Sequence, residues 1–231
     1  MAVAVDAITT GGNSSDGDCI QGDNVTSFTD ANPIIVGVGA TLLIATIGWQ
    51  ETAGGGDPTT RDITWNGVSM TEAAFAGGAV GDCSAAIYYT VSPSTGTLTF
   101  AGSWTNTCDV YAAAISFTGT DTSTGIAAAD TVTQVSTTES LSVASTTDGG
   151  TVALGVSNSG DPTMTQTSFW ENSPLGPGGG GSYALGGTSN SHGFDFAGGN
   201  DKVIVGVHVL AGAGGGGTFF MHDKMLLLGV S

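Results

Sequence analysis

The residues that could do chemistry are few, and most are badly spaced for it. Asp16-Gly17-Asp18, followed by Asp23, gathers carboxylates on a glycine-containing loop. Oxygens so placed can hold a calcium ion. The spacing lacks the further ligands and closing glutamate of an EF-hand, and turn formation explains the same letters. Calcium on Asp16, Asp18 and Asp23 is therefore the one cofactor the sequence offers. His192, His208 and His222 have no metal-ligating partner two or four positions away. His208 lies in an apolar strand, where a packed, hydrogen-bonded imidazole is expected. A hydrolase needs a nucleophile with a positioned base, and the stretch GVSNSG at 155–160 does not match the G-x-S-x-G elbow. No phosphate-binding G-x-x-x-x-G-K-[ST] loop occurs. The 20 acidic residues offer many carboxylate pairs, and nothing in the sequence singles out one for glycoside hydrolysis. The expectation is a protein that is not an enzyme.

Cysteines and aromatics offer two further candidates. Cys19, Cys83 and Cys108 form no C-x-x-C and no zinc spacing. An odd number leaves at least one thiol free or bonded to another chain. Three quiet, buried thiols are the plainer arrangement; a Cys83–Cys108 bridge is the alternative, since each stands just before a strand signal. Trp49, Trp65, Trp104 and Trp170, with Tyr88, could build a sugar-stacking platform, although aromatics in a sandwich usually fill the core. Trp104 stands among Ser103, Thr105 and Asn106, so it is the one expected at the surface and the ligand-stacking candidate.

Charge excludes several partners. Arg61, Lys202 and Lys224 are the only Lys and Arg residues against 20 acids, a net charge of −17. A phosphate-tracking groove needs clustered cations, so nucleic acid is not a partner, and anionic membrane surfaces are disfavoured. The acidity keeps many copies of a β-rich protein dispersed; an ion-rich habitat, where screening relieves self-repulsion, is the sharper alternative. The apolar stretch 33–49 is too short for a membrane span and is interrupted by Gly37, Gly39, Thr41, Thr46 and Gly48. It reads as two buried strands around a glycine-rich turn. The start, MAVAVDAITT, lacks the basic region and long apolar run of a signal peptide.

The elements that must position these residues are strands. Of the 231 residues, 40% are hydrophobic and 39 are glycine, which suits one sandwich-type domain. No helical period of useful length appears. Ile63 and Trp65 alternate before Asn66-Gly67, and Val68 and Met70 after it, which predicts a type I′ hairpin over Asp62 to Ala73. Ala85, Ile87, Tyr89 and Val91 share one face of a strand from Ser84, closed by the turn Ser92-Pro93-Ser94-Thr95-Gly96. Leu98 and Phe100 mark the return, and Tyr111, Ala113, Ile115 and Phe117 mark another face, ended by Thr118-Gly119-Thr120-Asp121. Leu141 and Val143 alternate with serines; Val152, Leu154 and Val156 follow the turn Asp148-Gly149-Gly150. Residues 171–200, with the run Gly178 to Gly181, read as loop-rich. The stretch Lys202 to Leu210 is apolar on both faces, so it is central in a sandwich or lies against another subunit. The sandwich domain therefore runs over 1–213.

A second glycine run, Gly214 to Gly217, separates this domain from a tail over 218–231. Phe219, Phe220, Met225, Leu226, Leu227 and Leu228 concentrate apolar surface there, together with Met221. The tail is either a last strand returning to the core or an arm that pairs with a neighbouring subunit's sheet edge.

DITWNGVSMTEAA at 62–74, AAIYYTVSPSTGTLTF at 85–100 and AAAISFTGTD at 112–121 together resemble a jelly-roll-like β-sandwich module of tailed-phage structural proteins and bacterial surface proteins. The likeness spans roughly 30–210, and its motifs are turns and alternation. It implies an all-β, jelly-roll-like sandwich of two antiparallel sheets and supplies no catalytic set. With no signal peptide, it favours a virion over a bacterial surface or other extracellular site. The function expected is a phage capsid decoration (cement) protein, a homo-oligomer, by family analogy a trimer, bound to a major capsid or other virion protein. A carbohydrate-binding or adhesin module is the alternative.

Overall fold

The computed structural model describes residues 1–213 apart from 13, 15–17, 32, 52–55, 78–82, 135–137, 159–161, 173–177 and 197–201. Asp16 and the whole tail, with Phe219, Phe220, Met225, Leu226, Leu227 and Leu228, lie outside the described residues. Among the described residues the chain is all strand and turn. β1 (Ala4–Ile8), β2 (Ile20–Asp30), β3 (Ile35–Val36), β4 (Leu42–Glu51), β5 (Asp62–Trp65) and β6 (Val68–Ser69) come first. β7 (Thr71–Gly77), β8 (Cys83–Val91), β9 (Gly96–Thr97), β10 (Phe100–Thr118), β11 (Ile126–Gln134) and β12 (Thr138–Ala144) follow. β13 (Gly150–Ser157), β14 (Pro162–Met164), β15 (Thr167–Asn172), β16 (Gly178–Leu185), β17 (Ser189–Phe196) and β18 (Lys202–Val209) complete the order.

The chain is an all-β sandwich of antiparallel sheets. The larger sheet runs β6-β5-β10-β4-β8-β7, with β1 and β2 also paired to β10. β10 makes this sheet curl. Its first residues pair with β5 (Phe100↔Trp65) and its last with β4 (Phe117↔Leu42), while β2 follows it across the bend. The register with β2 shifts between Ser103 and Cys108 and again before Val110, and Asn106 takes φ 68°. Irregularities of this kind bend a strand and increase its twist. The curl wraps one core around Trp49, Ile63, Trp65, Phe100 and Trp104. The Asn66-Gly67 hairpin forms as its sequence predicts, with φ of 53° and 74° at the two turn residues.

The second sheet runs β11-β18-β13-β16-β15 and packs on the other face of β4, β8 and β10. Ala85, Ile87, Tyr111, Ala113, Ile115 and Phe117 meet Val152, Leu154, Val156, Val203, Val205 and Val207 there. A three-stranded sheet, β12-β17-β14, covers the outer face of this second sheet through Leu141, Val143, Phe194, Phe196, Ala153 and Ile204. A two-stranded ribbon, β3-β9, completes the set.

This layering decides one alternative and corrects one expectation. β18 is buried along its whole length, and its two faces are covered by sheets of the same chain. Its apolar faces therefore call for no second subunit. The segment 171–200, expected to be loop-rich, carries β16 and β17. The glycine run is a strand because rings lie on it. A Cβ at Gly181 would stand 2.3 Å from Trp170 Nε1 and 2.5 Å from Phe169, and one at Gly180, on the other face, would meet Met164 and Pro162. A bulge between Ser168 and Trp170 turns consecutive aromatics, Phe169 and Trp170, into the same core.

One charged cluster fastens the loop that leads into β5. Arg61 donates through Nε and Nη2 to both carboxylate oxygens of Glu72 at 3.0 and 3.1 Å, and through Nη1 to Pro58 O. Its guanidinium lies 3.7 Å above the Phe75 ring. Tyr88 donates its hydroxyl to Glu72 at 2.6 Å, and burial, then Glu72, push its pKa well above the tyrosine range. The ion pair is partly solvated, so its share is small, and the cation–π contact adds a comparable amount. Arg61→Ala is expected to cost about 1–2 kcal/mol in urea unfolding. An unchanged midpoint would remove the cluster from the account of stability.

Candidate functional site

The chemistry-bearing residues do not converge. Cys83 and Cys108 are both buried and neither is in a disulfide, so the proposed bridge is corrected. β4 lies between them: Cys83 pairs with Gln50 and Cys108 with Glu51 of that strand. Two strand spacings separate them by about 9–10 Å, beyond the roughly 7 Å limit for a disulfide. They also face opposite cores. Burial pushes the Cys108 thiol up to about 11, with Glu51, Asp109 and Asp57 adding to it, so it stays protonated near neutral pH.

Trp104 is not a surface platform. It is 6% exposed, edge-on to Trp49 at 5.8 Å and tilted against Phe28 at 6.2 Å. The curl of β10 turns it inward while its polar neighbours Ser103, Thr105 and Asn106 stay at the surface. Asp18 spends its carboxylate on structure: Oδ1 accepts from Ser14 Oγ and Oδ2 from the Glu171 backbone N–H, each at 3.1 Å. Asp23 is exposed on β2. Among the described residues no group of three His, Cys, Asp or Glu could hold a metal ion.

A different feature is concentrated. Met1, Ile35, Val38, Val68 and Leu185 are the exposed large apolar side chains among the described residues. Met1, Val38, Val68 and Leu185 stand at one end of the sandwich. That end is where β10 stops, where β8 and β18 stop and where β13 starts. Backbone bonds tie these strand ends together: Asp121 N to Leu210 O, Gly212 N to Gly119 O, Val3 N to Asp148 O and Ser92 N to Thr41 O. Met1 donates its ammonium to Gly212 O, and Leu185 pairs with Gly150, which in turn pairs with Val209. Val38 is 96% exposed in the turn just before Thr41, and Ile35 pairs with Thr97 in the β3-β9 ribbon.

Val68 closes the group. It was expected to alternate inward with Met70, yet it is 62% exposed while Met70 is buried. Val68 and Trp65 are direct cross-strand partners and so share a face. Trp65, itself buried in the core with its Nε1 donating to Ser94 O at 2.9 Å, borders a cavity there together with Val68. Thr90, Val91, Ser92, Pro93 and Ser94 line the rest of this cavity of about 240 Å³.

The opposite end is acidic. Glu51 ends β4 there, Asp109 lies on the adjoining stretch of β10, and Asp109 accepts from the Asn24 backbone beside Asp23 at 2.7 Å. Asp18 reaches Glu171 on the same side, where β15 and β16 meet. Exposed large apolar side chains therefore gather at one end, while carboxylates occur at both: Asp6 accepts from Gly37 N–H at 2.8 Å beside Val38, and Asp121 is exposed where β10 and β18 stop. Sequence reasoning missed this. Ile35 and Val38 sit inside an apolar stretch that reads as buried strand, and the signal that could have separated them was the glycine turn, Gly37 and Gly39, around Val38. The chain matches no family model, no curated protein and no solved structure.

Proposed function

We propose that this chain is a non-enzymatic virion structural protein, a phage capsid decoration (cement) protein, that seats its apolar end on a major capsid protein. The observation that supports this reading is the gathering of exposed large apolar side chains at one end of the sandwich. A body buried in every core layer has surface to offer and no convergent chemistry among its described residues. Exposed apolar side chains give a hydrophobic contact, and the net charge of −17 repels other copies and discourages random association. The protein works as a homo-oligomer, a trimer by family analogy, so that weak contacts to a particle add through multivalency. The carbohydrate-binding alternative loses its carrier, because buried Trp104 has no face for a sugar.

The test is co-sedimentation of the purified chain with capsids that lack it. Wild type is expected to pellet with the particles. Val38→Asp combined with Val68→Asp, at exposed positions, is expected to weaken binding at least tenfold. Asp109→Asn at the far end is expected to leave it unchanged. Equal binding by the double variant would overturn the proposal.

A further inference from the structure

We propose that the end of the sandwich away from the exposed apolar side chains binds a calcium ion, held by the carboxylates of Glu51 and Asp57 over the hydroxyl of Ser84. Three observations carry this.

The first is a pair of buried polar atoms. Among the described residues, Ser84 Oγ and Trp49 Nε1 are closed to solvent and make no hydrogen bond. Both residues are fully buried. They are direct cross-strand partners on β8 and β4, so they share a face. Each orphaned polar group costs about 1–3 kcal/mol in a core. Two of them side by side mark a place for a ligand that carries oxygen or coordinates it.

The second is where the carboxylates stand. On its other side Ser84 pairs with Gly77 of β7. A Cβ on Gly77 would run into the Asp57 carboxylate, so Asp57 fills the side-chain position beside Ser84. Glu51 follows Trp49 by two residues on β4 and so lies on the same face. Its Oε2 accepts from the N–H of Gly56, the residue before Asp57, at 2.6 Å. Burial, then Glu51, with Asp57 also contributing, raises the Cys108 pKa, which puts both carboxylates near that thiol. Glu51 Oε1 and Asp57 Oδ1 are closed to solvent, yet both residues are only half-buried, so an ion reaches them from the surface.

The third is the frame around them. Asn106 Nδ2 donates to Gly56 O at 3.2 Å and to Asp57 O at 3.4 Å, and Thr105 N donates to Thr59 O at 2.9 Å. These bonds hold residues 56–59 against the bend of β10. Arg61, just beyond, spends its guanidinium on Glu72, Tyr88 and Pro58 O. Carboxylate and hydroxyl oxygens select a hard cation. Calcium accepts an irregular set of two carboxylates, a hydroxyl and its own waters, and one such water gives the Trp49 donor its oxygen. Zinc is disfavoured, because the nearby Cys108 thiol stays protonated. Two carboxylates make a weak site, with Kd on the order of 10⁻⁴–10⁻³ M. The site is separate from Asp16, Asp18 and Asp23 and independent of particle docking. When filled, it clamps the 56–59 loop to the curled sheet.

Equilibrium dialysis of the full-length chain against calcium tests it. One ion per chain is expected. Asp57→Asn is expected to weaken binding at least tenfold and Ser84→Ala severalfold, while Asp23→Asn leaves it unchanged. A second measurement needs only the wild-type chain, so it holds even where a variant fails to fold. Terbium takes the same oxygen ligands and luminesces when a neighbouring tryptophan is excited; with Trp49 beside the site, a signal that calcium displaces is expected. No binding at millimolar calcium, no sensitised terbium signal, affinity equal to wild type in folded Asp57→Asn or Ser84→Ala, or a loss confined to Asp23→Asn would each overturn the proposal. None of these readouts involves a particle, so failure here is distinct from failure of the docking assay.

Discussion

Replacing Gly181 with alanine is expected to cost on the order of 4 kcal/mol, one of the two largest effects the fold predicts. Trp170 is fully buried, and its Nε1 donates to Thr46 Oγ1 at 2.9 Å across the core between the two large sheets. The ring lies over β16, with Gly179 and Gly181 beneath it: a Cβ at Gly179 would stand 3.0 Å from the ring, and one at Gly181 2.3 Å from Nε1. An indole cannot bend away as a flexible side chain would. Overpacking of this kind costs about 1–3 kcal/mol, and an orphaned buried donor costs about 1–3 more if the Thr46 bond breaks. The measurement is the urea midpoint of Gly181→Ala beside Gly39→Ala, where the nearest heavy atom is 3.6 Å from the added Cβ and little change is expected. Equal midpoints for the two variants and wild type would mean that the rings do not rest on the glycines.

That glycine run also marks the limit of what was legible. Single-face alternation was readable wherever one face differs from the other. Ala85, Ile87, Tyr89 and Val91 do share a face, as do Tyr111, Ala113, Ile115 and Phe117. The Asn66-Gly67 hairpin was readable because its turn demands positive φ at both residues. β16 was not, because Gly178–Gly181 owes its strand to aromatics on β15 and apolar residues on β14. Partners supply what the strand's own side chains lack, and no local pattern records a partner. The covering of β18 was half legible: apolar faces announced two-sided burial, and only the third sheet says what covers the outer one.

The site was less legible than the fold for a related reason. Trp104 has polar neighbours, yet the curl of β10 decides which way its ring points. Cys83 opens β8, but Cys108, expected just before a strand, lies in the middle of β10; the interposed β4 and opposite faces depend on strand order, which spacing does not encode. The apolar end draws Met1, Val38, Val68 and Leu185 from separate regions of the chain, and no window of sequence contains two of them.

Acid is expected to weaken the fold through His192, with the loss falling between pH 6.5 and about 4. The imidazole projects from β17 and is fully buried. Thr151 of β13 and Ser182 of β16 each place a hydroxyl 2.8 Å from one ring nitrogen, so the ring bolts the outer sheet to the central one. A neutral ring donates at one nitrogen and accepts at the other. Protonation would make both nitrogens donors, which rotating hydroxyls can accept; the cost is therefore the buried charge itself. Burial alone lowers the pKa from 6.5 to about 4. The unfolded chain binds this proton below 6.5 while the folded chain refuses it until about 4. Stability from this group is then complete above 6.5, declines as pH falls, and is gone below about 4. The total is on the order of 3 kcal/mol, since each pKa unit is worth about 1.4 kcal/mol. His208, whose pKa burial also lowers, acts in the same direction, and carboxylates add their own terms, so the informative quantity is a difference. His192→Gln keeps a neutral group able to donate and accept. Its stability deficit against wild type is expected to shrink by about that amount between pH 7 and pH 4, read from urea unfolding at each pH. A deficit that stays constant across the range would place the acid sensitivity elsewhere.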